Sequence, residues 1–397
     1  MTTAGSAVLL LAVGFGVAAY AYFGYPFLLK LLSLARPAPA TAPGTAPAPG
    51  GAGWPSISVT IPAYNEERAI AATLDAILAS DYPADRRQIL VVSDGSTDRT
   101  DEIVRGYAGR GVELLRLPVR GGKIAAENAA RAHLRGDVVV NTDASVRIAP
   151  GALKPLVARF ADPTVGVASG RDVSVAQMDR DLNLGESGYV GYEMRVRDLE
   201  TRVGSIVGAS GCFYAIRKPL HVTDFPPALS RDFACALIAR EHGYRAVSVD
   251  EAVCYVPRIQ SLHGEYRRKV RTLVRGLQTL WYKRALLNPL RYGAFAWMLA
   301  SHKLVRWLAP WGLVVAALGW LLLAAALHSW PMVALLLAPL LLAAVGWWWP
   351  EARHAPRIVS VPAYVVSGVV AALDAWLRAV RGEVNAIWEP TKRAVIR

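Results

Sequence analysis

Residues 57–63 read ISVTIPA, residues 88–96 read QILVVSDGS, and residues 137–145 read DVVVNTDAS. Each is a short apolar, β-branched run that ends on turn-forming or acidic residues. With VELLRL from Val112, they mark four strands. Helical patterns open between them near Glu66, Asp98 and Lys123, with Thr97 and Asp98 as candidate caps. Strands alternating with helices of this length predict an α/β fold with a parallel sheet and right-handed crossovers. Ligands of such a sheet gather at the carboxyl ends of its strands. Tyr64, Asn65 and Glu66 follow the first run, Asp94 ends the second and Asp143 ends the fourth, so these groups should reach one rim. A single aspartate at a strand end is as well explained by an Asx turn. The combination of positions favours a site.

Outward from this block the chain changes character. A mixed part runs from Val165 to about Pro257, with a polar helix around Leu182 to Arg202 and a strand-like GCFYAI. Ala7 to Leu34 is apolar and long enough to cross a hydrocarbon core of about 30 Å. No small-residue cleavage pattern follows it, which favours a retained anchor over a signal peptide. Lys30 and Arg36 then place the next segment on the cytoplasmic side. The Pro/Ala/Gly run RPAPATAPGTAPAPGGAGWP is a tether with no means of building a core. After Pro257 comes the basic amphipathic stretch GEYRRKVRTLVRGLQTLWYKR, then two apolar runs, Leu313 to Leu327 and Pro331 to Trp349, flanked by tryptophans. Phe295 to Trp311 is apolar too, but His302, Lys303 and Arg306 suit a helix lying in the membrane interface. Val359 to Val380 is long enough to span, yet it contains Asp374 and Arg378. A crossing there would put Lys392, Arg393 and Arg397 outside, against the charge rule, and both readings stay open. The expected organisation is an anchor over 1–35, a linker over 36–55 and a catalytic domain over 56–257. Basic interfacial helices follow over 258–311, and a membrane region with a basic tail occupies 312–397.

The bulk numbers agree. Of 397 residues, 53% are hydrophobic and 19% charged, too apolar for an ordinary soluble enzyme, and the excess sits at the two ends. The net charge of +13 invites a nucleic-acid reading, but ten of those charges fall between Arg258 and Arg306, directly before the C-terminal apolar runs. That placement favours anionic lipid, and no nucleic-acid motif accompanies it. Three cysteines in no C-x-x-C arrangement suggest neither a disulfide framework nor a zinc site.

The string SVTIPAYNEERAIAATLDAIL followed by VVSDGSTDRTDEIV resembles the opening of family 2 glycosyltransferases with the GT-A fold. The resemblance implies that Ala63, Tyr64, Glu66 and Asp94 hold the nucleotide base and ribose. GGKIAAENAA is similar to the family's G-K-x-x-A-x-N segment, which implies that Lys123 and Arg120 lie near the diphosphate. VVVNTDASVRIAPGAL resembles the metal-binding D-x-D segment, either with Asp143 in the first Asp position and Ser145 where the second belongs, or as Asn141-Thr142-Asp143 with Asn first; one carboxylate remains in both frames. The implied cofactor is Mg²⁺ or Mn²⁺. GASGCFYAIRKPL resembles the acceptor-side loop, which brings Gly211 to the sugar. SRDFACALIAREHGYRAVSVDEAV resembles the helix that opens with an E-D pair, so Asp232 inherits the catalytic-base position while Arg231 replaces the Glu. An aspartate there is equally an ordinary first-turn residue of a helix. The Q-x-x-R-W signal of polymer-extending members is incomplete. RRKVRTLVRG lacks the Trp, QTLW resembles it only in part, and Arg271 is the equivalent arginine, with Arg268 a second candidate.

The resemblance covers roughly Pro55 to Trp281. It implies a membrane-anchored, inverting glycosyltransferase in cell-envelope or exopolysaccharide synthesis, using a nucleotide-diphosphate sugar at the cytoplasmic face. The acceptor would be a glycan or a lipid-linked hydroxyl. A processive polysaccharide synthase is the alternative within the class, and a catalytically silent scaffold of the same fold is the alternative outside it. Ser145 and Arg231 favour the scaffold, whereas Asp94, Lys123, Asp143 and Asp232 favour catalysis.

Overall fold

The computed structural model describes residues 3–35, 53–175, 184–222, 225–257, 261–350 and 355–383. Most of the expected tether, Arg36, Arg258 and the tail residues Lys392, Arg393 and Arg397 lie outside the described residues. The chain runs through α1 (Thr3–Leu34), β1 (Ile57–Ala63), α2 (Ile70–Leu78), β2 (Arg87–Ser93), α3 (Thr100–Arg105) and β3 (Val112–Arg116). It continues through α4 (Lys123–Ala130), β4 (Val138–Thr142), β5 (Arg147–Ile148), β6 (Val165–Val175), α5 (Leu184–Val203) and β7 (Phe213–Arg217). Then come α6 (Arg231–Glu241), β8 (Arg245–Pro257), α7 (Leu262–Tyr282), α8 (Ala294–Ala326), α9 (Trp330–Trp347) and α10 (Arg357–Val380).

Among the described residues eight strands form one sheet in the order β3-β2-β1-β4-β7-β6-β8-β5. The β3-β2-β1-β4 half is parallel, as its helix-linked strands require, and β7 enters antiparallel to both β4 and β6. Side chains alternate between two layers. Ile57, Val59 and Ile61 of β1 pack with Ile70, Leu74 and Ile77 of α2, while Leu90, Val92 and Val139 pack on the other face with Ile124 and Ala130 of α4. That is why the central strands are buried along their whole length, polar Ser58, Thr60 and Asn141 included. Asp98 accepts the Thr100 N–H at 2.9 Å in an Asx turn before α3, whose cap position is Arg99, whereas Thr97 turns instead to Asn65.

Among the described residues four helices, α1, α8, α9 and α10, are long and apolar enough to cross a membrane. Small residues let α1 and α8 touch backbone to backbone: a Cβ on Gly14 would lie 2.3 Å from the Gly312 carbonyl oxygen. Asp374 of α10 accepts from Tyr266 of α7 at 3.0 Å and from Arg378 at 2.8 Å, so the acidic group faces a protein neighbour. The segment expected to lie in the interface is different. Phe295 to Trp311 is part of α8, and His302 and Arg306 are buried (2% and 6% exposed) rather than turned to headgroups. His302 lies 2.6 Å from Glu200 and 3.0 Å from Glu193, and Arg306 donates to Glu193 at 2.7 Å. The reason is that α5 presents these two carboxylates to the membrane helices, and buried carboxylates demand partners. The contact lies where both α1 and α8 widen into π-helical segments, Tyr20–Gly24 and Ala300–Val305, joined by Tyr20 and Ser301 hydroxyls 2.8 Å apart.

Candidate active site

The strand-end aspartates meet through a relay of contacts. Asp94, just past β2, accepts the Gly121 N–H on Oδ1 and the Gly122 N–H on Oδ2, both at 2.7 Å. Those amides belong to the turn that opens α4, where Gly122 has φ of +90°. Holding the turn fixes the next residue, Lys123, whose ammonium donates to Asp143 Oδ1 at 2.6 Å and to the Gly211 carbonyl at 3.1 Å. Gly211 in turn leaves no room on its other side, because a Cβ there would lie 2.6 Å from Asp232 Oδ2. Asp232 sits in the first turn of α6, and its Oδ1 accepts the Ser230 hydroxyl at 2.5 Å. Asp94, Lys123, Asp143, Gly211 and Asp232 are therefore consecutive links, although they are far apart in the sequence.

The electrostatics follow from burial with compensation. Burial alone would lower the Lys123 pKa, but the carboxylates of Asp143, Glu127 and Asp232 outweigh it and hold the ammonium above the usual lysine range. Glu127, one helical turn after Lys123, is 1% exposed and pushed up by burial, with Lys123 and Arg231 opposing the rise. Arg231 Nε lies 3.2 Å from Glu127 Oε2, and its NH1 donates to the His221 carbonyl at 3.0 Å. The arginine that departs from the E-D pattern is thus matched by an acid on α4, and the pair ties the start of α6 to the helix that carries Lys123.

The residues expected on the nucleotide side lie behind this relay, at the ends of β1 and β2. The Arg120 guanidinium stacks 3.8 Å from the centre of the Tyr64 ring. Gly95, at φ +71°, lets that loop approach, since a Cβ would stand 3.3 Å from the Arg120 nitrogen. The Ala63 carbonyl accepts the Asp94 N–H at 2.8 Å, and the Glu66 carbonyl accepts from Ile70 to start α2. The Glu66 N–H donates to the Thr100 hydroxyl at 2.8 Å. None of Ala63, Tyr64, Glu66, Asp94 or Arg120 lines the adjoining cavity, and neither does Ser145, which lies in the turn where Val146 bonds back to Asp143.

That cavity, of about 360 Å³, is lined by Lys123, Asp143, Gly211 and Asp232 at one side. It continues to Glu193 and Arg197 of α5, to Arg268, Arg271 and Arg275 of α7, and to Lys303 and Trp307 of α8. Arg271, the arginine singled out in the sequence, lines the cavity with Arg268 and Arg275, and their i, i+3, i+7 spacing is that of one helical face. Asp172 of β6 also lines the cavity and was not foreseen. Burial raises its pKa against Arg197 and the Ser210 hydroxyl, which donates at 2.6 Å. No local pattern marks Asp172. Glu127 did carry a signal, as an acid among the alanines of α4.

Among the described residues no three His, Cys, Asp or Glu side chains gather to hold a metal. One carboxylate, Asp143, and a hydroxyl two residues on, Ser145, are the oxygen donors in the D-x-D-like segment. A hard cation that takes its other ligands from phosphate and water needs few protein groups. This donor set fits a cation bridged to a bound diphosphate and does not fit an all-protein cage.

Residues 58–221 match the glycosyl transferase family 2 description. An N-acetylglucosaminyltransferase from Rhizobium sp. (strain N33) is 36% identical over 123 residues, 30% of this chain and 27% of that protein. A beta-monoglucosyldiacylglycerol synthase from Synechocystis is 33% identical over 122 residues, 30% of this chain and 26% of that one. The chain thus spans less than a third of the length of these curated relatives. A solved mannosyltransferase from Pyrobaculum calidifontis, in complex with GDP-Man and Mn²⁺, superposes with a TM-score of 0.73 at 25% identity. The match covers 96% of this chain and 99% of that one. Residues 58–221 thus match glycosyltransferase family 2, within a GT-A-like catalytic fold joined to long apolar helices that can span a membrane.

Proposed function

We propose that this chain is an inverting glycosyltransferase that moves a sugar from a nucleoside-diphosphate sugar to an acceptor hydroxyl at the cytoplasmic membrane face. The observation that carries the reading is Lys123, whose ammonium bridges Asp143 and Gly211 while Gly211 abuts Asp232. A cation, a carboxylate at a strand end and a second carboxylate thereby border one cavity. In the reaction the acceptor oxygen bonds to the anomeric carbon from one face as the carbon–oxygen bond to the diphosphate breaks on the other. Asp232 takes the hydroxyl proton, and the nucleoside diphosphate leaves with the bonding electrons. Lys123, kept charged by its carboxylate neighbours, offsets the negative charge that grows on that leaving group. Tyr64 and Arg120 flank the nucleotide, and Asp94 positions the Gly121–Gly122 turn on which Lys123 depends. Asp143, with Ser145 beside it, would hold Mg²⁺ or Mn²⁺, which when bound supplies Lewis-acid stabilisation to the diphosphate. The Pyrobaculum mannosyltransferase, solved with GDP-Man and Mn²⁺, supports this choice of donor class and cation.

The cytoplasmic orientation rests on charge. Lys30 near the end of α1 and the arginines of α7 fall on the segment between membrane helices, where basic residues mark the cytoplasmic side. Cell-envelope glycan or glycolipid synthesis is the setting we assign to the product. The test is a panel of UDP-, GDP- and dTDP-sugars given to the purified full chain with Mg²⁺ or Mn²⁺, monitored for nucleoside-diphosphate release. Release with one donor, lost on chelation and restored by the cation, is expected. Absence of release with every donor would instead favour a silent scaffold.

A further inference from the structure

Beyond Asp232 the cavity leaves the catalytic domain and enters the membrane helices. Phe233, the next residue, meets the Trp307 ring edge-on at 5.8 Å, and the Lys303 ammonium lies 5.5 Å from the Phe233 ring centre. Both partners belong to α8, whose 33 residues are long and apolar enough to cross a bilayer. Against the indole, α7 makes room at Gly276, where a Cβ would fall 2.9 Å from Trp307. A membrane helix therefore supplies one wall of the cavity that holds the proposed base.

We propose that this end of the cavity is the acceptor subsite, built to take the hydroxylated head group, glycerol or sugar, of a membrane lipid. The inference rests on the transfer reaction above and names its acceptor class. Glu193 of α5 and Lys303 of α8 face the space 3.8 Å apart, with Arg197 3.6 Å from the same carboxylate. Burial would raise the Glu193 pKa, but His302, Arg306 and Lys303 hold it well below the carboxylate range. It is thus a fixed hydrogen-bond acceptor. Lys303 and Arg197 supply donors beside it, the arrangement that vicinal hydroxyls require. Trp307 adds an apolar wall for the C–H face of a sugar or glycerol unit. On the same helical face one turn further lies Trp311, and Leu308 is beside it, 38% and 36% exposed. A head group seated against Trp307 would leave its acyl chains along this flank and in the bilayer. A water-soluble glycan could stack on Trp307 but would gain nothing from the exposed Trp311 and Leu308 flank.

The experiment uses the full chain in detergent with its preferred radiolabelled donor and three acceptor preparations. These are phosphatidylcholine vesicles carrying diacylglycerol or monoglucosyl diacylglycerol, vesicles carrying a polyprenyl phosphate, and soluble oligosaccharides without lipid. Label moving to the organic phase with the first preparation is expected. In Lys303→Gln and Trp307→Phe the lipid KM should rise about tenfold, equivalent to about 1.4 kcal/mol, while donor KM moves less than about twofold. Transfer only to soluble oligosaccharide, or only to the polyprenyl phosphate, would overturn the proposal. So would lipid transfer whose KM ignores both substitutions. Donor hydrolysis with no transfer to any acceptor overturns the lipid assignment and leaves the enzyme reading intact. No turnover of any donor overturns both.

Discussion

Lys123 shows how much of this site depends on single contacts between distant residues. Its ammonium is useful only because Asp94 fixes the turn before it and the Glu127–Arg231 pair fixes the helix after it. Arg231 and Glu127 are 3% and 1% exposed, so removing either strands the other as a buried charge. Arg231→Met is expected to destabilise the fold by about 3–5 kcal/mol, and Glu127→Gln combined with it should recover part of that loss. Thermal unfolding of the two single variants and the double variant measures this coupling. Additive losses would contradict the pairing. His221, whose carbonyl accepts from Arg231, gives a second prediction. Burial, with Arg231 and Arg131 nearby, pushes its pKa down to about 3, so the folded chain keeps it neutral while the unfolded chain titrates near 6.5. Its stabilising contribution is complete above about pH 6.5 and shrinks as pH falls toward 3, by at most about 1.4 kcal/mol per pH unit. Melting curves at pH 7 and pH 5 should diverge less in His221→Gln than in the parent. The candidate residues that local signals pick out were those at strand ends, since strand runs and turn residues are local, whereas Lys123, Asp232 and Arg271 on helices came from the family resemblance. Asp172 and Glu193 were not legible, because what makes them matter is a partner far away: His302 lies 109 positions from Glu193.

At the scale of elements, the parallel half of the sheet was readable because strands buried on both faces leave continuous β-branched runs. The antiparallel entry of β7 was not, since nothing in FYAIR states which neighbour it will take. The same limit explains α8. Its charged residues look interfacial when read alone, and they become internal only when α5 brings Glu193 and Glu200 against them. The contact between α1 and α8 is the mechanical counterpart of that ionic cluster. Gly14, Gly312 and Gly319 have no space for a side chain at the crossing. Gly312→Leu should therefore splay the two helices and lower the melting temperature of the detergent-solubilised chain by several degrees, whereas Gly16→Leu, with open space around it, should not. Equal effects would show that the close approach contributes nothing.

For the whole molecule, the catalytic domain and the membrane helices share one cavity and one buried ionic cluster. The basic charge that at first suggests nucleic acid is divided accordingly. Part of it lines the cavity on α7 and α8, and Arg306 is held inside by Glu193. The central claim is that sugar transfer occurs in that shared cavity, with Asp232 as the proton acceptor. The direct test is single-turnover transfer by Asp232→Asn, measured beside nucleotide-sugar affinity by titration calorimetry. The predicted result is a rate lower by about 10²–10⁴-fold with donor affinity within about twofold of the parent. A variant that transfers sugar at the parental rate would contradict the claim.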